Sequence, residues 1–73
     1  KWQYVFKGRS LEEVAKVLER WYDMEIIFEN EKSKKTVYTG VINKEENFDA
    51  FVLRLRETSS LSCRMESNRL YIR

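Results

Sequence analysis

"SLEEVAKVLERWYD" (residues 10–23) and "NFDAFVLRLRETSS" (residues 47–60) decide the fold when they are read against each other. In the first stretch Leu11, Val14, Ala15, Leu18 and Tyr22 recur at three- and four-residue steps. Val17 and Trp21 widen that stripe, which makes one face of a helix apolar. Ser10 followed by Glu13 is a capping box, so the helix is expected to begin there. The second stretch lies 37 residues further on, the separation of Ser10 and Asn47. At that offset Leu11 falls on Phe48, Val14 on Phe51, Ala15 on Val52 and Leu18 on Leu55. Asn47 stands where Ser10 stood, and it too is a good N-cap.

The downstream flank carries the same offset, and the upstream flank repeats at a slightly different one. "WQYVFK" (2–7) alternates, with Trp2, Tyr4 and Phe6 on one face, and is expected to end at Gly8. "MEIIFE" (24–29) alternates with Met24, Ile26 and Phe28, which fall on Leu61, Cys63 and Met65. "VFKG" (5–8) has its counterpart in "VYTG" (37–40), after which "VINKEE" (41–46) reads as a longer connection. The chain is therefore a duplicated β-α-β unit, with pseudo-repeats over 2–29 and 36–73. A last strand, "RLYIR" (69–73), is expected to pair with "SCRME" (62–66) across a Ser67-Asn68 turn. "ENEKSKK" (29–35) reads as a charged surface connection between the halves.

The expected class is α+β in the order β-α-β-β-α-β-β, with two helices packed between or against small sheets. In the second helix Leu53 lies nearly opposite Phe48, Phe51, Val52 and Leu55, with Ala50 nearby. Apolar residues on two sides favour a helix held between two sheets over one sheet carrying both helices on one face. The expected core is Phe6, Leu11, Val14, Leu18, Trp21, Tyr22, Ile26 and Phe28 from the first half. The second half adds Phe48, Phe51, Leu55, Cys63, Leu70 and Ile72. Trp21 and Tyr22 have no aromatic counterpart, since Thr58 and Ser59 occupy the equivalent places. They are expected to plug the core at the end of the first helix.

Composition narrows the functional classes. Seventy-three residues make one domain with a thin stability margin, so its two Trp, four Tyr and four Phe must supply much of the buried area. With 36% charged residues netting to +2, no strong field favours nucleic acid or an anionic membrane. There is no histidine, the commonest general base and metal ligand. The single cysteine, Cys63, sits at an inward strand position and can form no internal disulfide. Glu12, Glu13, Glu45, Glu46 and Asp49 cluster at the two helix starts, where they complement the helix dipole. No catalytic constellation, cofactor site or metal site is expected. Two β-α-β units also describe a small RNA-recognition fold, but the Gly-Phe run of that module is missing here. The first residue is Lys1 rather than Met, so the chain reads as a fragment of a longer protein.

Several features together resemble the C-terminal domain of FecR-type anti-sigma factors, in the form common in Bacteroidetes. They are the Leu-Glu-Glu-Val helix start (11–14), the Leu-Glu-Arg-Trp-Tyr helix end (18–22) and Thr39-Gly40 after a strand aromatic. The Leu-x-x-Thr close of the second helix (55–58) and the terminal hairpin follow in order. The second helix start, "NFDAFVLRL", departs from the acid-rich start usual in the family. The resemblance implies a fold similar to the secretin and TonB short N-terminal domain. It also implies a periplasmic, protein-binding C-terminal domain of a single-pass inner-membrane protein. The partner would be the N-terminal signalling domain of a TonB-dependent outer-membrane transporter. An extracytoplasmic-function sigma factor would be held by an N-terminal part absent from this chain. The same short domain in the transporter or a secretin itself is the neighbouring alternative, and a small nucleic-acid-binding module the distant one. Neither nucleic acid nor a small-molecule ligand is expected. If Phe6, Ile26, Phe28, Leu70 and Ile72 point inward, alternation turns Val5, Ile27, Val37 and Tyr71 outward. The partner is then expected to add to an edge strand flanked by these four.

Overall fold

A computed structural model describes residues 3–73, and Trp2 lies outside the described residues. The elements run β1 (Gln3–Ser10), α1 (Leu11–Tyr22), β2 (Glu25–Phe28), α2 (Glu31–Lys34), β3 (Val37–Asn43), α3 (Phe48–Thr58), β4 (Cys63–Glu66) and β5 (Arg69–Ile72). The architecture is α+β with two small sheets rather than one. β1 and β3, the opening strands of the two repeats, pair antiparallel with each other. β2 and β4, the closing strands, are separated by β5, which runs parallel to β2 and antiparallel to β4. The extra strand thus joins the two repeats into a single second sheet.

Both principal helices start where the sequence places them. Ser10 and Glu13 complete the reciprocal capping box of α1, and the Asn47 side chain accepts from the Asp49 N–H at the start of α3. α1 packs against β1 and β3 of one sheet and β2 of the other, so the core lies between the sheets. Leu11, Val14 and Leu18 of α1 meet Phe51 and Leu55 of α3 there, together with Phe6, Ile26, Leu70 and Ile72 from the strands. Phe48 is buried as well, while Trp21, Tyr22, Phe28 and Cys63 are half-buried and packed on the rim of this cluster.

Four expectations need correction. β1 does not stop at Gly8: Lys7 and Gly8 oppose the single residue Thr39 in a bulge, and pairing resumes at Arg9 with Tyr38. Gly8 adopts φ 60, and its N–H donates to Thr39 Oγ1 at 3.0 Å, which satisfies the group the bulge frees. β3 continues through Gly40 to Asn43, so Val41 and Ile42 are strand rather than connection. Their ladder partners, Val5 and Tyr4, are far away in sequence, and local reading had no access to that pairing. The segment 29–35 contains the helical turn α2. Asn30 caps it, and the Ser33 hydroxyl donates to the Asn30 carbonyl at 2.8 Å, leaving Ser33 fully buried. Finally, Leu53 of α3 is 55% exposed, so α3 buries one stripe only. Two sheets are present, but Leu53 is not the reason.

Asp23 closes α1 in the left-handed conformation, φ 52 and ψ 44. An L-residue there costs about 1–2 kcal/mol, less for Asp than for most, and glycine avoids that cost. Asp23→Gly is expected to raise the unfolding free energy by up to about 1 kcal/mol, after glycine's larger unfolded-state entropy is set against it. A urea midpoint equal to or below the parent's would show that the Asp23 side chain stabilises this cap.

Candidate protein-interaction surface

Among the described residues no group of three or more His, Cys, Asp and Glu is placed to hold a metal ion. Cys63 is half-buried, and burial pushes its thiol up from the ordinary cysteine range, with Arg56 opposing weakly. It is therefore a protonated thiol packed at the edge of the core.

The four outward strand residues divide between the sheets. Val5 and Val37 lie on the β1–β3 sheet and are 63% and 66% exposed. Val5 pairs across the ladder with Val41, itself 45% exposed, so an apolar stripe crosses this sheet. Val41 joins this stripe because β3 runs on through it, where the sequence alone suggests a connection. Ile27 and Tyr71 lie on the other sheet as direct cross-strand partners, with Arg64 opposite Tyr71 on its far side. Both are half-buried. The Arg64 guanidinium covers the Tyr71 ring at 4.3 Å and also reaches Glu66 at 2.9 Å and Glu29 at 3.6 Å. Tyr71 is thus covered by cation–π and ionic contacts, whereas Val5, Val37 and Val41 on the β1–β3 sheet are exposed. The structure does not bring the four residues into one patch.

At the end of α1, Tyr22 and Trp21 are joining residues. The Tyr22 hydroxyl donates to the Glu46 carbonyl at 2.7 Å and lies 3.2 Å from the Asn43 carbonyl. Its ring meets Phe48 edge-on at 5.3 Å, so the last turn of α1 is tied to the turn between β3 and α3. Burial raises the pKa of this phenol, and the Glu46 charge adds to the effect. Trp21 leans edge-on against Tyr4, with ring centroids 6.2 Å apart.

Beside this joint, β3 and α3 enclose an open groove of about 570 Å³. Tyr38, Gly40 and Leu55 contribute to its lining, Thr58 stands on the helix side, and the Glu46–Arg54 pair lines it too. Arg54 holds Glu46 by two hydrogen bonds of 2.7 and 3.0 Å. The hydrogen bond from Arg54 lowers the Glu46 pKa below its ordinary 4.5. A depressed carboxylate contributes stability that is present above 4.5 and lost as pH falls through the lowered value. Glu46→Gln is therefore expected to melt below the parent at neutral pH, with the gap closing as the solution is acidified past that range. A gap independent of pH would assign the loss to packing instead of charge.

The family described as FecR, C-terminal, matches this chain over residues 3–72. The chain belongs to that family. The FecR C-terminal domain described here also superposes on two crystal structures, each of a candidate anti-sigma factor from Parabacteroides distasonis ATCC 8503. The TM-scores are 0.81 and 0.80 at 18% identity, with 97% and 96% of this chain covered. At that identity the likeness establishes the fold alone. The FecR C-terminal domain spans about a third of those chains, 33% and 32%. No curated protein matches it.

Proposed function

We propose that this domain is the periplasmic, protein-binding end of a membrane-anchored anti-sigma factor. It would relay the state of a TonB-dependent outer-membrane transporter to an extracytoplasmic-function sigma factor. The family match over residues 3–72 carries the reading. On this reading the role is regulatory rather than enzymatic, and the domain meets the transporter's N-terminal signalling domain through its strands. The sigma factor is held by another part of the parent chain. No helix among the described residues is long and apolar enough to cross a membrane, so the anchor too is assigned to another part of that chain.

The exposed stripe of Val5, Val37 and Val41 supports contact on the β1–β3 side, while Tyr71, beneath Arg64, and half-buried Ile27 are the weaker candidates. The test is a calorimetric titration of this chain with the signalling domain of the transporter encoded beside the parent gene. Saturable binding is expected, together with loss of sigma-dependent transcription or its constitutive release when residues 3–72 are deleted from the parent. No binding and an unaltered reporter would overturn the reading. Val5→Lys is expected to weaken the complex, and a folded Ile27→Lys/Tyr71→Lys variant is expected to weaken it less. The reverse order would move the contact to the other sheet.

A further inference from the structure

Two small sheets leave four open edges, and the molecule treats them differently. On β2 the edge N–H of Ile26 is already taken by the Glu19 carboxylate at 2.8 Å. β1 is broken by its bulge and carries Lys7 and Arg9. β4 is only four residues long, with Arg64 and Glu66 on it. Bulges, charges and short length are the ordinary means of keeping an edge from pairing. β3 has none of them: "VYTGVIN" is seven residues long, uncharged, without proline and rich in β-branched side chains.

The direction of its free groups follows from one hydrogen bond. The Leu11 N–H donates to the Thr36 carbonyl at 2.8 Å, so Thr36 and alternate residues after it turn their main chain toward β1. Val37, Thr39 and Val41 therefore present theirs to the open edge, while the Asn43 carbonyl is occupied by Glu46 N–H and Tyr22. The groove of about 570 Å³ runs along this same strand, between it and α3. Its one charged pair, Glu46 with Arg54, is internally neutralised.

We infer that the β3 edge receives an extended, uncharged strand from a partner protein. The added strand extends the β1–β3 sheet through the main-chain groups of Val37, Thr39 and Val41, and its alternate side chains enter the groove beside α3. A second copy of β3 fits less well. Its side chains on the groove side, Tyr38 and Ile42, are buried in their own core and have none to insert. The inference deepens the proposed function by naming the edge, and it stands separately from the identity of the partner.

The test follows backbone amide exchange with two probes, the transporter's signalling domain and linear peptides selected on this chain from a random display library. In the free domain the Thr39 and Val41 amides are expected to exchange fast. Saturating probe is expected to slow them about tenfold or more, because each gains a cross-strand acceptor. Protection by the peptides without binding of the signalling domain would keep the edge and remove the proposed partner. Binding of the signalling domain with protection confined to β2 or β4 would overturn the edge and leave the partner standing. Protection of β3 amides on concentration of the chain alone would replace the partner strand by a second copy. No protection of these amides by either probe overturns the inference. Val41→Pro removes one edge N–H at a position where an edge strand tolerates proline. If it melts within a few degrees of the parent, binding about tenfold weaker is expected. Parental affinity in that folded variant also overturns the inference, and if the variant does not fold, amide protection decides.

Discussion

Phe51→Ala is expected to lower the unfolding free energy by about 3–5 kcal/mol, enough to unfold a domain of this size. Phe51 is 1% exposed and stands where the two repeats meet. Its ring lies 5.8 Å from Tyr38 of β3 and 6.0 Å from Phe48 of its own helix. Truncation would leave a void walled by two sheets and a helix, which cannot close on it without separating from one another. Trp21→Ala, at the half-buried rim, is expected to cost less, because the residue faces partly into water and packs edge-on against Tyr4. Chemical denaturation of both variants tests the order. If Trp21→Ala is the more damaging, Trp21 plugs the core as its place in the sequence suggests, and the centre lies nearer the end of α1.

Gly40→Ala is expected to destabilise by about 1–3 kcal/mol, although alanine replaces glycine in a strand, where the exchange would ordinarily help. A Cβ at Gly40 would stand 3.2 Å from Tyr38 Oη and 3.3 Å from Tyr38 Cε2. The Tyr38 ring has little room to yield, being buried edge-on against Phe6 at 6.2 Å and packed against Phe51 at 5.8 Å. Gly8→Ala is the matched control. Its Cβ would meet nothing within 4 Å, and its cost arises from φ +60 alone. Gly8→Asn should then recover part of that loss, since Asn tolerates the left-handed region, while Gly40→Asn should not. A Gly40→Ala variant as stable as the parent would show that Tyr38 can swing out, which would also open the groove beside it.

What the chain determined by itself is whatever depends on near neighbours. The stripe of Leu11, Val14 and Leu18, its image in Phe48, Phe51 and Leu55, and both N-caps rest on spacings of a few residues. So does the two-residue turn of Ser67 and Asn68, with Ser67 at φ 57. Capping bonds and helical periodicity are settled within one or two turns, so sequence alone suffices for them. The duplication was legible for the same reason, as one local pattern met twice.

Tertiary structure decided whatever required knowing which strand lies beside which. Nothing local marks Ile42 as fully buried or extends β3 to Asn43; pairing with Tyr4 and Gln3 does both. Nothing local sets β5 between β2 and β4, or divides Val5 and Val37 from Ile27 and Tyr71. Alternation tells which residues share a face of one strand, but every strand has two faces and two edges. Which of them meets water is settled only when the sheets close around α1. The open edge of β3 belongs to this second class: its lack of charge is written in residues 37–43, and its freedom to pair comes from β1 taking only one side.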